Sequence, residues 1–246
     1  RIDRNIEWNI LNDKKECFIR FKSFFKREAI ELNSINDKEL FFDFVVKHNG
    51  AIIKEAFSAM GKHVQIVHSD LGELTLLWDK ISLSFAKGNT YIVEELIHQS
   101  NEMAMFHPES VNTVRMMTFK NKNEVVLLGS FVRFGRGQSI VDNAGSGGIF
   151  AEVDTNTGKV IGSAITESGE KFDVHPDSGV SISGFQIPKW DELVEFSIRL
   201  ANELKVKKYV GWDCALTDQG WVMVEGNSHG QFVNQYPNKN GMRDRV

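Results

Sequence analysis

Three oxygen-bearing side chains interrupt two apolar runs near the end of the sequence. In "VGWDCALTDQGWVMVEGNSHGQF" (210–232), Asp213, Glu225 and Asn227 stand where a strand would otherwise be hydrophobic. "TDQG" (217–220) is a turn signal, and folding back about it brings residue 213 opposite the neighbourhood of 224–225. Glu225 and Asn227 lie two apart on one strand and share a face, so the three side chains can converge on one point. Asp, Glu and Asn are hard oxygen donors, suited to Mg²⁺ and unsuited to zinc. Such an ion takes a couple of protein carboxylates and completes its shell with phosphate oxygens and water. A solvent-facing sheet edge would give the same pattern, with "EGN" merely ending a strand.

A second group is Arg115 in "VNTVRMMTF" and Arg133 in "EVVLLGSFVRFG", each inside an apolar, strand-like run. An isolated buried charge is costly. Such an arginine therefore faces a cleft, a carboxylate or a phosphate, or closes a structural salt bridge to one of the 33 acidic residues. Lys47 ends the run "FVVKHNG" (44–50), which reads as a strand end from which a lysine can reach a nucleotide phosphate. Most such lysines simply snorkel to solvent. "YIVEELIHQ" (91–99) sets two acids after an apolar strand, a pattern commonplace on surfaces. In "VDNAGSGGIF" (141–150), Asn143, Ser146, Gly145, Gly147 and Gly148 either offer backbone N–H groups to an anion or form only a loop. The seven histidines show no paired metal spacing, and no Ser/His/Asp arrangement suggests a nucleophile.

The elements that must position these residues belong to an ordinary globular chain. It has 246 residues, 41% hydrophobic and 25% charged, enough for one large domain or two modest ones. A net charge of −4 gives no bulk attraction to nucleic acid or to anionic membrane. The apolar runs fall short of the ~20 residues of a membrane span. Cys17 and Cys214 stand far apart with no CxxC partner, which fits a reducing cytoplasm better than a disulfide scaffold. The sequence opens on "RIDRNIEWNI", without Met, and points to a segment upstream.

Phe18, Phe21, Phe24 and Phe25 fall at helical spacing, so residues 1–39 read as helical. "LFFDFVVKH" (40–48) reads as a strand with "HVQIVHS" (63–69) as its partner, "LTLLWDKISLSFA" as a helix, and "TYIVEEL" (90–96) as a strand. Four alternating segments between 111 and 168, punctuated by Asn, Gly and Asp, read as antiparallel strands. "PKWDELVEFSIRLANELK" (188–205) is the clearest amphipathic helix, with Pro188 at its start. Several hairpins among mixed helices predict an α+β fold rather than a doubly wound sheet.

Taken in order from about Phe41 to Gln235, these segments resemble the ATP-grasp superfamily. The nearest likeness is its sugar-transfer-associated branch, with ribosomal-protein glutamate-ligase-like enzymes as cousins. "PESVNTVRMMTF", "VDNAGSGG", "HPDSG…GFQIPKWDEL" and "VGWDCALTDQGWVMVEGN" carry the resemblance, four motifs in the expected order. It implies a short helical N-terminal segment (1–39), a small subdomain with lid and hinge (40–96), and a large subdomain with the metal site (97–246). The two α+β subdomains would grip the nucleotide between antiparallel sheets.

By the same resemblance Lys47 contacts the ATP phosphates. Glu94 and the backbone around Glu95, Leu96 and Ile97 meet the adenine, and Glu102 meets the ribose. Arg115 and Arg133 face the γ-phosphate and an acyl-phosphate intermediate. Asn143, Ser146, Gly147 and Gly148 hold a carboxylate substrate, and Asp213, Glu225 and Asn227 hold two Mg²⁺ ions. Two departures stand out: the lid "AIIKEAFSAMGK" is bulky, with only Gly61 near its end and Lys54 or Lys62 as substitute phosphate cations, and little chain precedes the module. The implied activity is ATP-dependent joining of a carboxylate to an amine, with an amino acid and a sugar derivative as candidate substrates and surface polysaccharide as a setting. A nucleotide-binding scaffold that keeps the fold without the chemistry is the alternative.

Overall fold

The computed structural model describes residues 7–56, 64–122, 124–206 and 208–228. Gly61 and Lys62 of the expected lid lie outside these residues. Residues 7–39 are less uniform than the helical reading of 1–39 predicts. Three short helices, α1 (Trp8–Asn12), α2 (Lys14–Arg20) and α3 (Lys22–Phe25), are followed by a strand, β1 (Ala29–Leu32). Asp13 caps α2 by accepting the backbone N–H groups of Lys15 and Glu16.

The strand expected at 40–48 is a helix, α4 (Lys38–Lys47). Its buried residues Phe41, Phe44 and Val45 fall at i, i+3 and i+4, which is one helical face. Just ahead, Ser34 and Asp37 form a capping box around a 3₁₀ turn that leads straight into it. A short run this apolar satisfies strand and helix patterns alike, so the flanking cap decides. The partner of β3 (Val64–Val67) is instead β2 (Ala51–Glu55), from the start of the segment expected to form the lid. The helix α5 (Leu71–Phe85) and the strand β4 (Tyr91–Glu94) follow as the pattern predicts.

These strands form one antiparallel sheet in the order β1-β4-β2-β3. Ala51, Ile53, Val67 and Val93 pack against Phe41, Phe44, Leu74 and Trp78 of the two helices. Alternation sends Ile52 and Lys54 of β2, and Ile92 and Glu94 of β4, to the opposite face.

The second sheet is larger. After α6 (Asn101–Ala104) come β5 (Thr113–Lys120), β6 (Val125–Phe134), β7 (Ile149–Val153), β8 (Val160–Ile165) and β9 (Lys171–Phe172). Then follow helix α7 (Trp190–Asn202) and the hairpin β10 (Tyr209–Thr217) and β11 (Gly220–Asn227). The sheet order is β11-β10-β5-β6-β7-β8-β9, antiparallel throughout. On one face Val114, Met116, Val132, Trp212 and Cys214 bury against Leu193, Phe196 and Leu200 of α7. Each such side chain contributes roughly 1.5–3 kcal/mol when fully buried.

The N-terminal helices finish covering this face. Phe21 meets Trp212 edge-on at 5.3 Å and Phe24 meets Phe196 at 5.5 Å. A Cβ on Gly226 would stand 2.9 Å from Leu11 and 3.1 Å from Trp212, so glycine is what lets α1 approach β11. With this face filled by carbon, the polar residues of the same strands must emerge on the other. Among the described residues no helix is long and apolar enough to cross a membrane.

Candidate active site

The polar face of the large sheet is a ladder of functional side chains. Thr113 stands opposite Arg133, Arg115 lies between Phe131 and Asp213, and Asp213 stands opposite Glu225. A bulge between Asp213 and Cys214 leaves Val224 without a cross-strand partner, and Glu225 thereby shares the face of Asp213. Period-two alternation and one bulge thus place four strands' polar groups together.

Asp213 is the hub, 1% exposed. Its two oxygens accept from Arg115 Nε and Nη2 at 2.5 and 2.6 Å, a bidentate pair. Arg133 Nη2 lies 2.9 Å from Asp213 Oδ2, and Asn227 Nδ2 donates to the same oxygen at 3.1 Å. Burial alone would raise the Asp213 pKa, but the Arg115 and Arg133 charges hold it below the ordinary carboxylate value. Burial likewise disfavours the Arg115 cation, and Asp213 more than reverses this.

Arg133 ties the hub to the next layer. It donates to Thr113 Oγ1 at 3.0 and 2.7 Å and to Asn143 Oδ1 at 3.2 Å. Asp142 lies 3.4 Å from Arg133 and accepts from the Thr113 backbone and hydroxyl. Burial raises the Asp142 pKa against the pull of Arg133. Glu225 is exposed at the edge of the ladder. Crowding by protein, then the Asp213 charge, raises its pKa despite that opening.

A second cluster faces this one from the small sheet. Arg27 donates to Glu94 through Nε and Nη2, at 2.9 and 2.5 Å, and Lys54 Nζ donates to the other Glu94 oxygen at 3.0 Å. Arg27 Nη1 also donates to the Met223 carbonyl of β11 at 2.6 Å, so one guanidinium joins the two sheets. Burial opposes ionisation of Glu94, but Lys54 and Arg27 hold its pKa at about 2.

A depressed carboxylate stabilises the fold above its unfolded value of 4.5 and loses that contribution as pH falls towards about 2. Glu94→Gln is therefore expected to lose about 3 kcal/mol at pH 7 and to flatten the acid limb between pH 4.5 and 2. Urea midpoints measured across that range would read it. Parallel acid limbs in both proteins would refute the assignment.

The residues singled out by sequence divide. Arg115, Arg133, Asn143, Asp213, Glu225 and Asn227 come together. Lys47 does not: it ends α4, is exposed, and pairs with Glu28 at 2.6 Å. Its expected place at a strand end is lost because that strand is a helix, and Lys54 is the lysine on the inner face. Glu94 is committed to two cations rather than open to a base. Glu95 accepts from the Glu28 backbone, and Leu96 lies against Gly50. Ile97 is half-buried beyond β4. Glu102 sits exposed in the first turn of α6, where its own backbone N–H and Ser100 lower its pKa.

The glycine loop is a 3₁₀ turn over Ala144–Ser146 rather than an anion nest. The N–H groups of Ser146 and Gly148 bond to the Asn143 carbonyl, and that of Gly147 to the Ala144 carbonyl. Those three amides are spent internally, so Asn143 meets Arg133 through its side chain instead. A Cβ on Gly148 would stand 2.3 Å from the Asp142 carbonyl oxygen, which explains the glycine there without a ligand. Sequence reasoning missed Arg27, Thr113 and Asp142. The acid directly before Asn143 in "VDNAG" was the available signal for the last.

Asp213, Glu225 and Asn227 fit a magnesium site by chemistry: two carboxylates on facing strands and one amide, all oxygen donors. Among the described residues no three His, Cys, Asp or Glu side chains group as a metal site, so the amide is needed to complete the set. Asp213 already accepts three N–H bonds, two from Arg115 and one from Asn227, and is paired with the Arg133 guanidinium as well. It can turn to a cation only as an arginine turns away.

No curated protein matches this sequence. Among solved structures, the fold is similar to D-alanyl-alanine synthetase A from Vibrio cholerae, with a TM-score of 0.57 and 9% identity, over 89% of this chain and 56% of that one. It is similar to a RimK domain ATP-grasp protein from Sphaerobacter thermophilus, with a TM-score of 0.53 and 12% identity, over 89% and 60%. It is also similar to N5-carboxyaminoimidazole synthetase from Staphylococcus aureus complexed with ADP, with a TM-score of 0.53 and 11% identity, over 92% and 46%. The chain thus spans about half the length of these proteins, and identities this low establish the fold alone. The sequence profile of the sugar-transfer associated ATP-grasp family matches residues 21–246. With two facing antiparallel sheets and that match, this chain belongs to the sugar-transfer associated ATP-grasp family.

Proposed function

We propose that this protein is an ATP-dependent carboxylate–amine ligase that works through an acyl phosphate. The observation that carries the reading is the buried Arg115–Asp213–Arg133 cluster beside Glu225 and Asn227. A sheet has no structural need to bury two guanidiniums on one carboxylate, since apolar replacements of such groups are commonly neutral or stabilising. Two guanidiniums held at one point do suit a reaction whose transition states are strongly anionic.

In that reaction a carboxylate oxygen attacks the γ-phosphorus of ATP and ADP leaves. The amine nitrogen then attacks the acyl carbon, and inorganic phosphate leaves. Arg115 and Arg133 bind the γ-phosphate and hold it in line. Asp213 keeps both guanidiniums at one point before nucleotide arrives. Asn143, bonded to Arg133, orients the carboxylate substrate beside them. Magnesium held by Asp213, Glu225 and Asn227 would neutralise the polyphosphate. The hydrophobic inner face of β2 and β4, Ile52 and Ile92, suits an adenine ring, with the backbone of 95–97 at its edge. In this reading 40–96 carries the lid and hinge, and 97–246 carries the chemistry.

The substrate classes are an amino acid and a sugar derivative such as a uronic acid, since fold does not fix substrate. ADP release should be measured with ATP, Mg²⁺ and paired panels of amino and uronic acids, with hydroxylamine added to trap an acyl phosphate as hydroxamate. Amine-dependent ADP release with hydroxamate formation is the expected result. Nucleotide binding without turnover on any pair would overturn the ligase reading in favour of a scaffold.

A further inference from the structure

We propose that Thr113 and Asp142 are positioning residues that hold the Arg133 guanidinium in place independently of Asp213. The proposal rests on the ligase reading above, in which Arg133 binds the γ-phosphate, and adds two residues to which that reading gives no role.

The arrangement begins with strand register. Thr113 of β5 is the cross-strand partner of Arg133 of β6, so their side chains rise side by side from one face. The chain beyond β6 then comes back to the same point. It delivers two consecutive side chains there, Asp142 through the Thr113 hydroxyl and Asn143 directly on the guanidinium. Gly148 lets this return fold tightly, since a Cβ there would stand 2.3 Å from the Asp142 carbonyl oxygen.

Counting donors and acceptors shows how firmly the hydroxyl is set. Asp142 Oδ2 accepts from the Thr113 hydroxyl at 2.5 Å and from the Thr113 backbone N–H at 2.9 Å. With its hydrogen fixed on Asp142, Thr113 Oγ1 turns both lone pairs to Arg133. Arg133 Nε and Nη2 fill them at 3.0 and 2.7 Å. The remaining nitrogen, Nη1, donates to Asn143 Oδ1 at 3.2 Å, and Asp142 Oδ1 stands 3.4 Å from Nη2 as a counter-charge. Thr113, Asp142 and Arg133 are all buried, so water competes little for these bonds, and a network of this kind stiffens its members.

Arg115 has no comparable hold. Both of its hydrogen bonds go to Asp213, and beyond them it meets the Phe131 ring at 5.6 Å. An Asp213 that turns to a cation therefore releases Arg115 from its anchor. Arg133 then keeps its bonds to Thr113 and Asn143, none of which involves Asp213. A guanidinium that need not reorganise as charge develops on the phosphoryl group stabilises the transition state most effectively.

The test compares Thr113→Val, Thr113→Ser, Asp142→Asn and wild type by calorimetric titration with ADP in Mg²⁺, with and without aluminium fluoride as a mimic of the phosphoryl group in transfer. Thermal melts without nucleotide come first. Thr113→Val keeps the shape and removes the hydroxyl, and is expected to weaken the aluminium fluoride complex about 10- to 100-fold. ADP alone should stay within about threefold of wild type, and Thr113→Ser should restore both affinities. Asp142→Asn keeps an acceptor without the charge and should fall between Thr113→Val and wild type. It decides the question by the same comparison if Thr113→Val does not fold. Unaltered affinity for the aluminium fluoride complex in Thr113→Val would overturn the proposal. Equal weakening with and without aluminium fluoride would make the network a general support of the cleft, and would also overturn it. Wild type that binds ADP without tightening in aluminium fluoride would overturn the γ-phosphate role of Arg133. Wild type that binds neither would overturn the nucleotide reading itself.

Discussion

Asp213→Ala is expected to lower stability by about 3–5 kcal/mol, more than any other single change in the cleft. The lost atoms are few, and the cost comes from what they leave behind. Arg115 and Arg133 are 6% and 8% exposed, and both point their guanidiniums at the deleted carboxylate. Neither has free access to water, and two like charges would then face each other with only Asp142, 3.4 Å from Arg133, as a counter-ion. For a chain of this length that is a fall in Tm of roughly 10 °C. Asp213→Asn keeps the shape and some hydrogen bonding, so it should fall between wild type and Asp213→Ala. Pairing Asp213→Leu with Arg115→Met should recover part of the loss, because it removes one of the two stranded charges. The pH dependence has a definite sign. The Asp213 pKa is depressed, so its contribution is present above the ordinary value of 3.8 and fades as pH falls through the folded value. Denaturant midpoints of the three variants across pH would read all of this. A loss under about 1 kcal/mol for Asp213→Ala would mean the cluster is loosely held.

Such a cluster can be read from sequence only in part, and the limit is physical. The hairpin was legible because a two-residue turn between alternating strands fixes which residues share a face. Asp213 opposite Glu225 follows from "TDQG" plus one bulge. Arg115 and Arg133 were legible as oddities, since charges inside apolar strands must have a partner, but the partner depends on which strands are neighbours. β10 pairs with β5 across nearly a hundred residues of chain, and no local pattern encodes that. The run at 40–48 failed for the opposite reason. Its local pattern was strong but ambiguous, and Phe41, Phe44 and Val45 satisfied a helix only once the cap at Ser34 and Asp37 was weighed. That error carried Lys47 with it. Arg27 was invisible because its role lies in joining Glu94 of one sheet to the Met223 carbonyl of the other.

Glu225→Gln should separate chemistry from stability, where Asp213 mixes them. Glu225 is exposed, and its pKa is raised by the crowding around it and then by Asp213. A raised carboxylate stabilises the fold below its unfolded value of 4.5 and loses that contribution as pH climbs through the folded pKa. Above that folded pKa the ionised side chain is therefore a burden, which the neutral, isosteric glutamine removes. Stability of Glu225→Gln should equal or exceed that of wild type at neutral pH, and the two should converge in acid. Turnover should move the other way. A ligase that needs two carboxylates opposite each other to hold a cation against the polyphosphate loses roughly 100-fold or more in kcat when one becomes an amide. Affinity for adenosine should not change, because the base lies on the small sheet in the proposed arrangement. A variant that is both as stable and as active as wild type would remove Glu225 from the site. One that loses stability instead would make it a structural residue, and the sheet edge would then be the better account of "EGN".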